Sequence, residues 1–289
     1  MFLRLTHLTR YDYSRPVSFA PHAIYLRPRE SPRQRLHEFK LDLAPAARRV
    51  ATSDAEGNAL EWAYFDAATL APALEFRSEC LVETLDSNPF DFFLTPSALA
   101  FPFAYDAAER YVLAPCLAPP AGSDETQLRT WLAAHLPAPP ADTVPFLTAL
   151  NTAVRSSLSY SRRDEPGIQT PADTLARGGG SCRDYAVLFI ALCRTLGLAA
   201  RFVSGYLHEP PAADIPNPAP PTMHAWTEVY LPGAGWRGLD PTRGIFCDDA
   251  FVPVAHSAVA ESVNPIQGNF YGAGPVASKL HTTLVIDKL

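Results

Sequence analysis

The stretch Gly178-Gly179-Gly180-Ser181-Cys182-Arg183-Asp184-Tyr185-Ala186 sets a single thiol at the junction between a glycine run and a helix. Ser181 followed three residues later by Asp184 is a capping-box pattern, which makes Ser181 the N-cap and Cys182 the first helical residue. The helix is expected to continue to about residue 196, with Gly197 as its stop. Tyr185, Val187, Leu188, Phe189, Ile190 and Leu192 are apolar on nearly every face, so the helix is expected to lie inside a domain. Cys182 then stands at the positive end of a buried helix dipole. That position favours thiolate over thiol and points backbone N–H groups at whatever the sulfur attacks. The three glycines are expected to let a substrate backbone come close. A cysteine in an apolar helix is more often a small core hydrophobe, and Cys193, further along the same helix, fits that description. Its place at the cap sets Cys182 apart.

Downstream, residues 200–207 read as a strand, and residues 208–222, with six prolines in fifteen residues, as a surface loop expected to wall a cleft. Met223-His224-Ala225-Trp226-Thr227-Glu228-Val229-Tyr230-Leu231 and Trp236-Arg237-Gly238-Leu239-Asp240-Pro241-Thr242 then flank the turn Pro232-Gly233-Ala234-Gly235 and read as a hairpin. With Pro232 at its midpoint, Asp240 would lie opposite His224, and Gly238 opposite Trp226, on one face. A thiolate nucleophile needs a base to take its proton and return it to a leaving amine, and the imidazole needs a partner to hold its tautomer. Cys182, His224 and Asp240 supply those three types in that order. Taken singly, a histidine in a strand is usually structural and an aspartate before proline usually marks a turn. Residues 248–275 read as loop, and Leu280, Thr282, Leu284 and Ile286 as a last alternating strand.

Upstream, residues 1–115 read as short alternating strands. Phe39, Leu41 and Leu43 form one such pattern, Leu74, Phe76, Ser78, Cys80, Val82 and Thr84 another, and residues 54–58 make a hairpin turn. His7, His22 and His37 are isolated, without metal-ligand spacing. Residues 115–122, with three prolines and a glycine, read as a linker, and Ser123 or Asp124 caps a helix through Leu136. Residues 143–158 give another helix, with Phe146, Leu147, Leu150 and Val154 on one stripe. A charged loop over 161–170 carries Gln169, an amide donor, toward the glycine run.

Composition narrows the field. The 289 residues are 47% hydrophobic, enough for one large or two ordinary domains, and the formal charge is −6 with no basic run, which argues against nucleic acid or an anionic membrane as partner. The longest apolar run, residues 185–193, is too short to span a bilayer, and Met1-Phe2-Leu3-Arg4-Leu5-Thr6-His7 lacks a hydrophobic signal region, so a cytoplasmic location is expected. Five scattered cysteines without a Cys-x-x-Cys pair disfavour a disulfide framework and a structural zinc site.

The segments Gly-Gly-Ser-Cys-Arg-Asp-Tyr-Ala, Gly-Leu-Ala-Ala-Arg-Phe-Val-Ser-Gly-Tyr, His-Ala-Trp-Thr-Glu-Val-Tyr and Trp-Arg-Gly-Leu-Asp-Pro-Thr closely resemble the core of the bacterial transglutaminase-like family, in order and spacing over about residues 140–270. The β-rich part before them resembles the N-terminal domain that accompanies this core in bacteria. The resemblance implies an α+β fold: a β-sandwich-like N-terminal domain, 1–115, then a papain-like, transglutaminase-like catalytic core with a C-terminal strand, 123–289. It implies Cys182 as nucleophile, His224 as base and Asp240 as third member of a catalytic triad, in a cysteine protease or amidase that hydrolyses or transfers peptide or glutamine-type amides through a thioester. The Cys182 N–H is one expected oxyanion donor, and Gln169 or Tyr160 the other. No cofactor and no metal are expected. Asp248-Asp249 lacks the ligand spacing of a calcium loop, and no His-Glu-x-x-His occurs. The competing reading is a non-catalytic binding or scaffold protein with a vestigial site, which an unreactive thiol would favour. Peptide or protein is the expected partner, and the oligomeric state stays open.

Overall fold

The computed structural model describes residues 1–163, 167–209 and 222–289. Six strands open the chain: β1 (Phe2–Phe19), β2 (His22–Ile24), β3 (Gln34–Ala44), β4 (Arg48–Ser53), β5 (Ala59–Tyr64) and β6 (Ala71–Thr84). Their sequence pattern is their packing pattern. In β6, Leu74, Phe76, Ser78, Cys80, Val82 and Thr84 are all buried while the residues between them are not. The Asp54 carboxylate accepts the N–H groups of Glu56 and Asn58, both at 2.9 Å, which closes the β4–β5 hairpin at the expected turn.

Helices α1 (Ala107–Leu117), α2 (Glu125–His135) and α3 (Thr143–Ser157) come next, followed by β7 (Ser159–Tyr160), α4 (Pro171–Arg177), β8 (Gly179–Gly180) and α5 (Cys182–Thr195). Asp124 caps α2 by accepting from the Gln127 N–H, and α3 buries Phe146, Leu147, Leu150 and Val154. The β-rich reading of 1–115, with a linker from residue 115, needs correction. Asp106 and Glu109 form a reciprocal capping box that starts α1, and the helix continues through Pro115 to Leu117.

Strands β9 (Ala200–Leu207), β10 (His224–Leu231), β11 (Gly235–Asp240), β12 (Ile245–Phe246) and β13 (Phe251–Ser257) form an antiparallel sheet ordered β12-β11-β10-β9-β13. α5 lies against one face of it, buried from Asp184 to Arg194, and the Thr227 hydroxyl on β10 donates to the Ala186 carbonyl on α5 at 3.1 Å. This helix-on-sheet unit is the papain-like α+β core. β13 falls where the sequence reads as loop. Pro253 sits at a register shift on this edge strand, the place where a sheet tolerates proline, and it hides the strand from a pattern search. Of the expected proline-rich cleft wall, residues 210–221 lie outside the described residues.

The chain ends with β14 (Ile266–Gln267), β15 (Phe270–Tyr271) and β16 (Ser278–Lys288). β14 pairs with β2, while β15 and β16 pair with β1 along the edge that β6 leaves open. The C-terminal strand therefore belongs with the N-terminal sandwich rather than with the 123–289 core, because alternation fixes which face a strand buries but not which distant edge it joins. The two units share a core: Leu3, Leu5, Cys80 and Val82 of the sandwich pack into the same buried cluster as Tyr206 and Val252 of the core sheet.

Candidate active site

Local chemistry places Cys182 first. Asp184 is fully buried, and its carboxylate accepts from the Ser181 N–H and hydroxyl, both at 2.8 Å, closing the cap. The same carboxylate accepts from the Gln169 N–H at 2.7 Å, from Gln169 Nε2 at 3.2 Å, and from Arg163 Nε and Nη2 at 2.9 and 3.3 Å. Burial alone would raise the Asp184 pKa; these donors hold it below its ordinary value. Cys182 thus opens α5 from a rigid cap, partly exposed, with its own N–H free of any intrahelical partner.

Each residue of the glycine run has a packing reason. Gly178 is the left-handed C-cap of α4. A Cβ on Gly179 would stand 2.1 Å from the Ser159 carbonyl oxygen, where β7 and β8 pair, and one on Gly180 would stand 2.8 Å from Asp184 Oδ2. Gly179 and Gly180 thus let β7 and the Asp184 carboxylate come close to the strand that leads into α5.

His224 opens β10 and Asp240 closes β11. Glu228 lies opposite Gly238, so the hairpin turns about Gly233, with φ +89, rather than about Pro232. Every partner shifts by two residues, which preserves the face and sets Asp240 diagonal to His224 instead of directly across. The contact survives: His224 Nε2 donates to Asp240 Oδ2 at 2.8 Å. Trp226 loses its expected pairing with Gly238 but stacks on the His224 ring, centroids 6.2 Å apart. Asp240 is fully buried, and its second oxygen accepts from the Thr242 N–H at 2.9 Å and hydroxyl at 2.7 Å, so one carboxylate makes both the turn and the histidine contact.

Burial would lower the His224 pKa, but hydrogen bonds to Asp240 and to the Cys182 side chain, with the negative charge of both, raise it to about 10. Asp240 occupies Nε2, which leaves Nδ1 as the ring nitrogen not engaged by the carboxylate. The three residues named from sequence are brought together: nucleophile type at a helix cap, imidazole beside it, buried carboxylate behind.

The two oxyanion candidates separate. Gln169 is buried, and its backbone N–H and one of its two side-chain N–H groups are given to Asp184, so it helps to build the cap. Tyr160 is half exposed on β7, beside Gly180, and its pKa is raised by burial and then by the negative charge of Cys182 and Asp240. Tyr160 therefore borders the thiol from the open side. Three supporting residues escape the sequence reading. Asn151, the polar residue on the buried stripe of α3, donates to the Asp240 and Ile245 carbonyls at 3.3 and 3.0 Å. Thr242 was legible as the third residue of an Asp-Pro-Thr turn. Arg163 carries no local signal.

Two family models match the chain: the transglutaminase-like superfamily over residues 132–241, and the bacterial transglutaminase-like N-terminal region over residues 3–83. An uncharacterized protein of Mycobacterium tuberculosis is 31% identical over 283 residues, spanning 93% of this chain and 87% of its own length. One of Mycobacterium leprae is 26% identical over 99% of both chains. Among solved structures, a Cytophaga hutchinsonii protein described as a "putative cysteine protease" shares the fold, with TM-score 0.73 and 19% identity, over 100% of this chain and 91% of that one.

Proposed function

As this chain belongs to the transglutaminase-like superfamily, we propose that it performs thiol-dependent acyl chemistry on peptide or glutamine-type amides. The observation that carries the proposal is the 2.8 Å hydrogen bond from His224 to the buried Asp240, with the pKa of the same imidazole raised by the side chain of Cys182 at the cap of α5. With the thiol proton already on His224 Nδ1, the Cys182 thiolate Sγ adds to the amide carbonyl carbon. The developing oxyanion meets the Cys182 N–H and the Tyr160 hydroxyl. Collapse breaks the C–N bond, the amine departs with the proton from His224, and a thioester remains on Cys182. Water or an amine, giving its proton to His224, then adds to the thioester, and the C–S bond breaks to restore the thiolate. Asp240 holds the Nε2–H tautomer throughout and stabilises the imidazolium.

Incubation with a set of peptide and glutamine amides, acid quench and peptide mapping should find an acyl mass on Cys182 that added hydroxylamine removes. Amide turnover that persists in Cys182→Ala would sink the proposal. The absence of any adduct or turnover, with Cys182 unreactive toward alkylation, would favour the scaffold reading.

A further inference from the structure

Asp184 poses an electrostatic problem. It stands at the third position of α5, two residues from Cys182, and it is a fully buried carboxylate held in the ionised form. A buried anion in the first turn lowers the positive potential that the helix N-terminus offers a thiolate. Arg163 answers it. Its guanidinium is mostly buried, 19% exposed, and grips both carboxylate oxygens from the segment that carries Tyr160 and leads to Gln169.

We propose that Arg163 is a positioning residue for the chemistry at Cys182: it neutralises Asp184, so that the carboxylate anchors the cap and the β7 segment without opposing the thiolate. The inference rests on the proposed function above. Among the described residues, the charged and titratable groups on the elements around the thiol are His224 on β10, Asp240 on β11 with Arg243 at 3.7 Å, Tyr160 on β7, Arg162 and Arg163 on the segment after it, and Arg183 and Asp184 on α5 itself. Arg183 Nη2 donates to the Arg163 carbonyl at 3.2 Å, holding the segment by its backbone, so the β7 side keeps a tether when the Arg163 side chain is changed. His224 and Asp240 supply the base and its partner. Arg163 brings a cation to the cap carboxylate, with Nε on Oδ2 and Nη2 on Oδ1.

The test reads iodoacetamide alkylation of Cys182 in the full chain at pH 6 and at pH 9.5, by peptide mapping. Arg163→Gln should slow the rate at pH 6 by about fivefold or more and leave the rate at pH 9.5 within about twofold, since at high pH the thiolate forms without help. Arg163→Lys should keep most of the pH 6 rate. Adding Asp184→Asn to Arg163→Gln should restore the pH 6 rate toward that of the parent, because the anion to be neutralised is gone. A purely structural role predicts the reverse: equal loss at both pH values and no recovery in the double variant. If the Asp184→Asn chains fail to fold, the contrast between Arg163→Gln and Arg163→Lys decides alone. An unchanged pH 6 rate in Arg163→Gln beside a fast parent overturns this inference and spares the proposed function. A slow parent overturns both.

Discussion

The two ends of α5 carry one thiol each, about three turns apart, and share almost nothing else. At the C-terminal end Cys193 is completely buried among apolar neighbours, and burial pushes its pKa far up. At the N-terminal end Cys182 is partly exposed, follows the cap, and lies beside an imidazole whose pKa its charge helps to raise and that a buried carboxylate holds. One helix thus contains both the ordinary setting of a free cysteine and the one in which we propose a reactive thiol. What separates them is position relative to the helix dipole and to the β10–β11 hairpin, not residue type.

The comparison breaks most visibly by substitution at each end. Cys182→Ala should abolish amide turnover, a loss of roughly 10³-fold or more with no change in fold, because no other group forms the thioester. Cys193→Ala should leave turnover within about twofold and lower stability by about 1 kcal/mol, the effect of a small core truncation. Kinetics and denaturant titration on both variants check this; equal losses of turnover would erase the distinction.

A smaller loss is expected one step back from the sulfur. Asp240→Asn keeps the shape but weakens the hold on the imidazole tautomer, so turnover should fall by roughly 10²- to 10⁴-fold with the Tm little changed. Turnover within about threefold of the parent would remove Asp240 from the proposed triad. Gly179→Ala tests the wall beside the thiol. With its Cβ 2.1 Å from the Ser159 carbonyl oxygen, it should force β7 off β8 and cost about 1–3 kcal/mol in a denaturant titration.

The smallest effect concerns pH. A histidine raised from 6.5 to about 10 in the folded chain contributes stability that is fully present below pH 6.5 and is lost as pH rises toward 10. The Tm gap between the parent and His224→Gln should therefore be widest near pH 6, on the order of a few degrees, and close by about pH 10. A gap that widens with pH would contradict the ion-pair account of the site.

The N-terminal end of α5 was legible because its signals are local: a cap serine, an acidic residue three positions on, and an unbroken apolar run. The face shared by His224 and Asp240 was legible too, since a hairpin fixes parity. Its register was not, because the glycine-rich turn admits more than one midpoint and the chain settles on Gly233. β16 reads clearly as a strand, yet its pairing with β1 depends on which distant edge is free. Gln169 reads from sequence as an amide donor upstream of the thiol, and its tie to the cap could not be read there, because Asp184, buried and in need of donors, takes its backbone N–H and one side-chain N–H only in the fold. Arg163 was invisible for the same reason: the carboxylate that needs it is remote in sequence and adjacent only in the fold.

Competitive alkylation of the native chain tests the central contrast most directly. Iodoacetamide at about pH 6, where an ordinary thiol is almost wholly protonated, should modify Cys182 before Cys80, Cys116, Cys193 and Cys247, each of which has its pKa raised by burial. His224→Ala should slow the modification of Cys182 markedly and leave the other four as they were. Peptide mapping that finds Cys182 reacting no faster than a cysteine of the unfolded chain, with no effect of His224→Ala, would contradict the account: α5 would then carry two inert thiols, and the site would be a vestige.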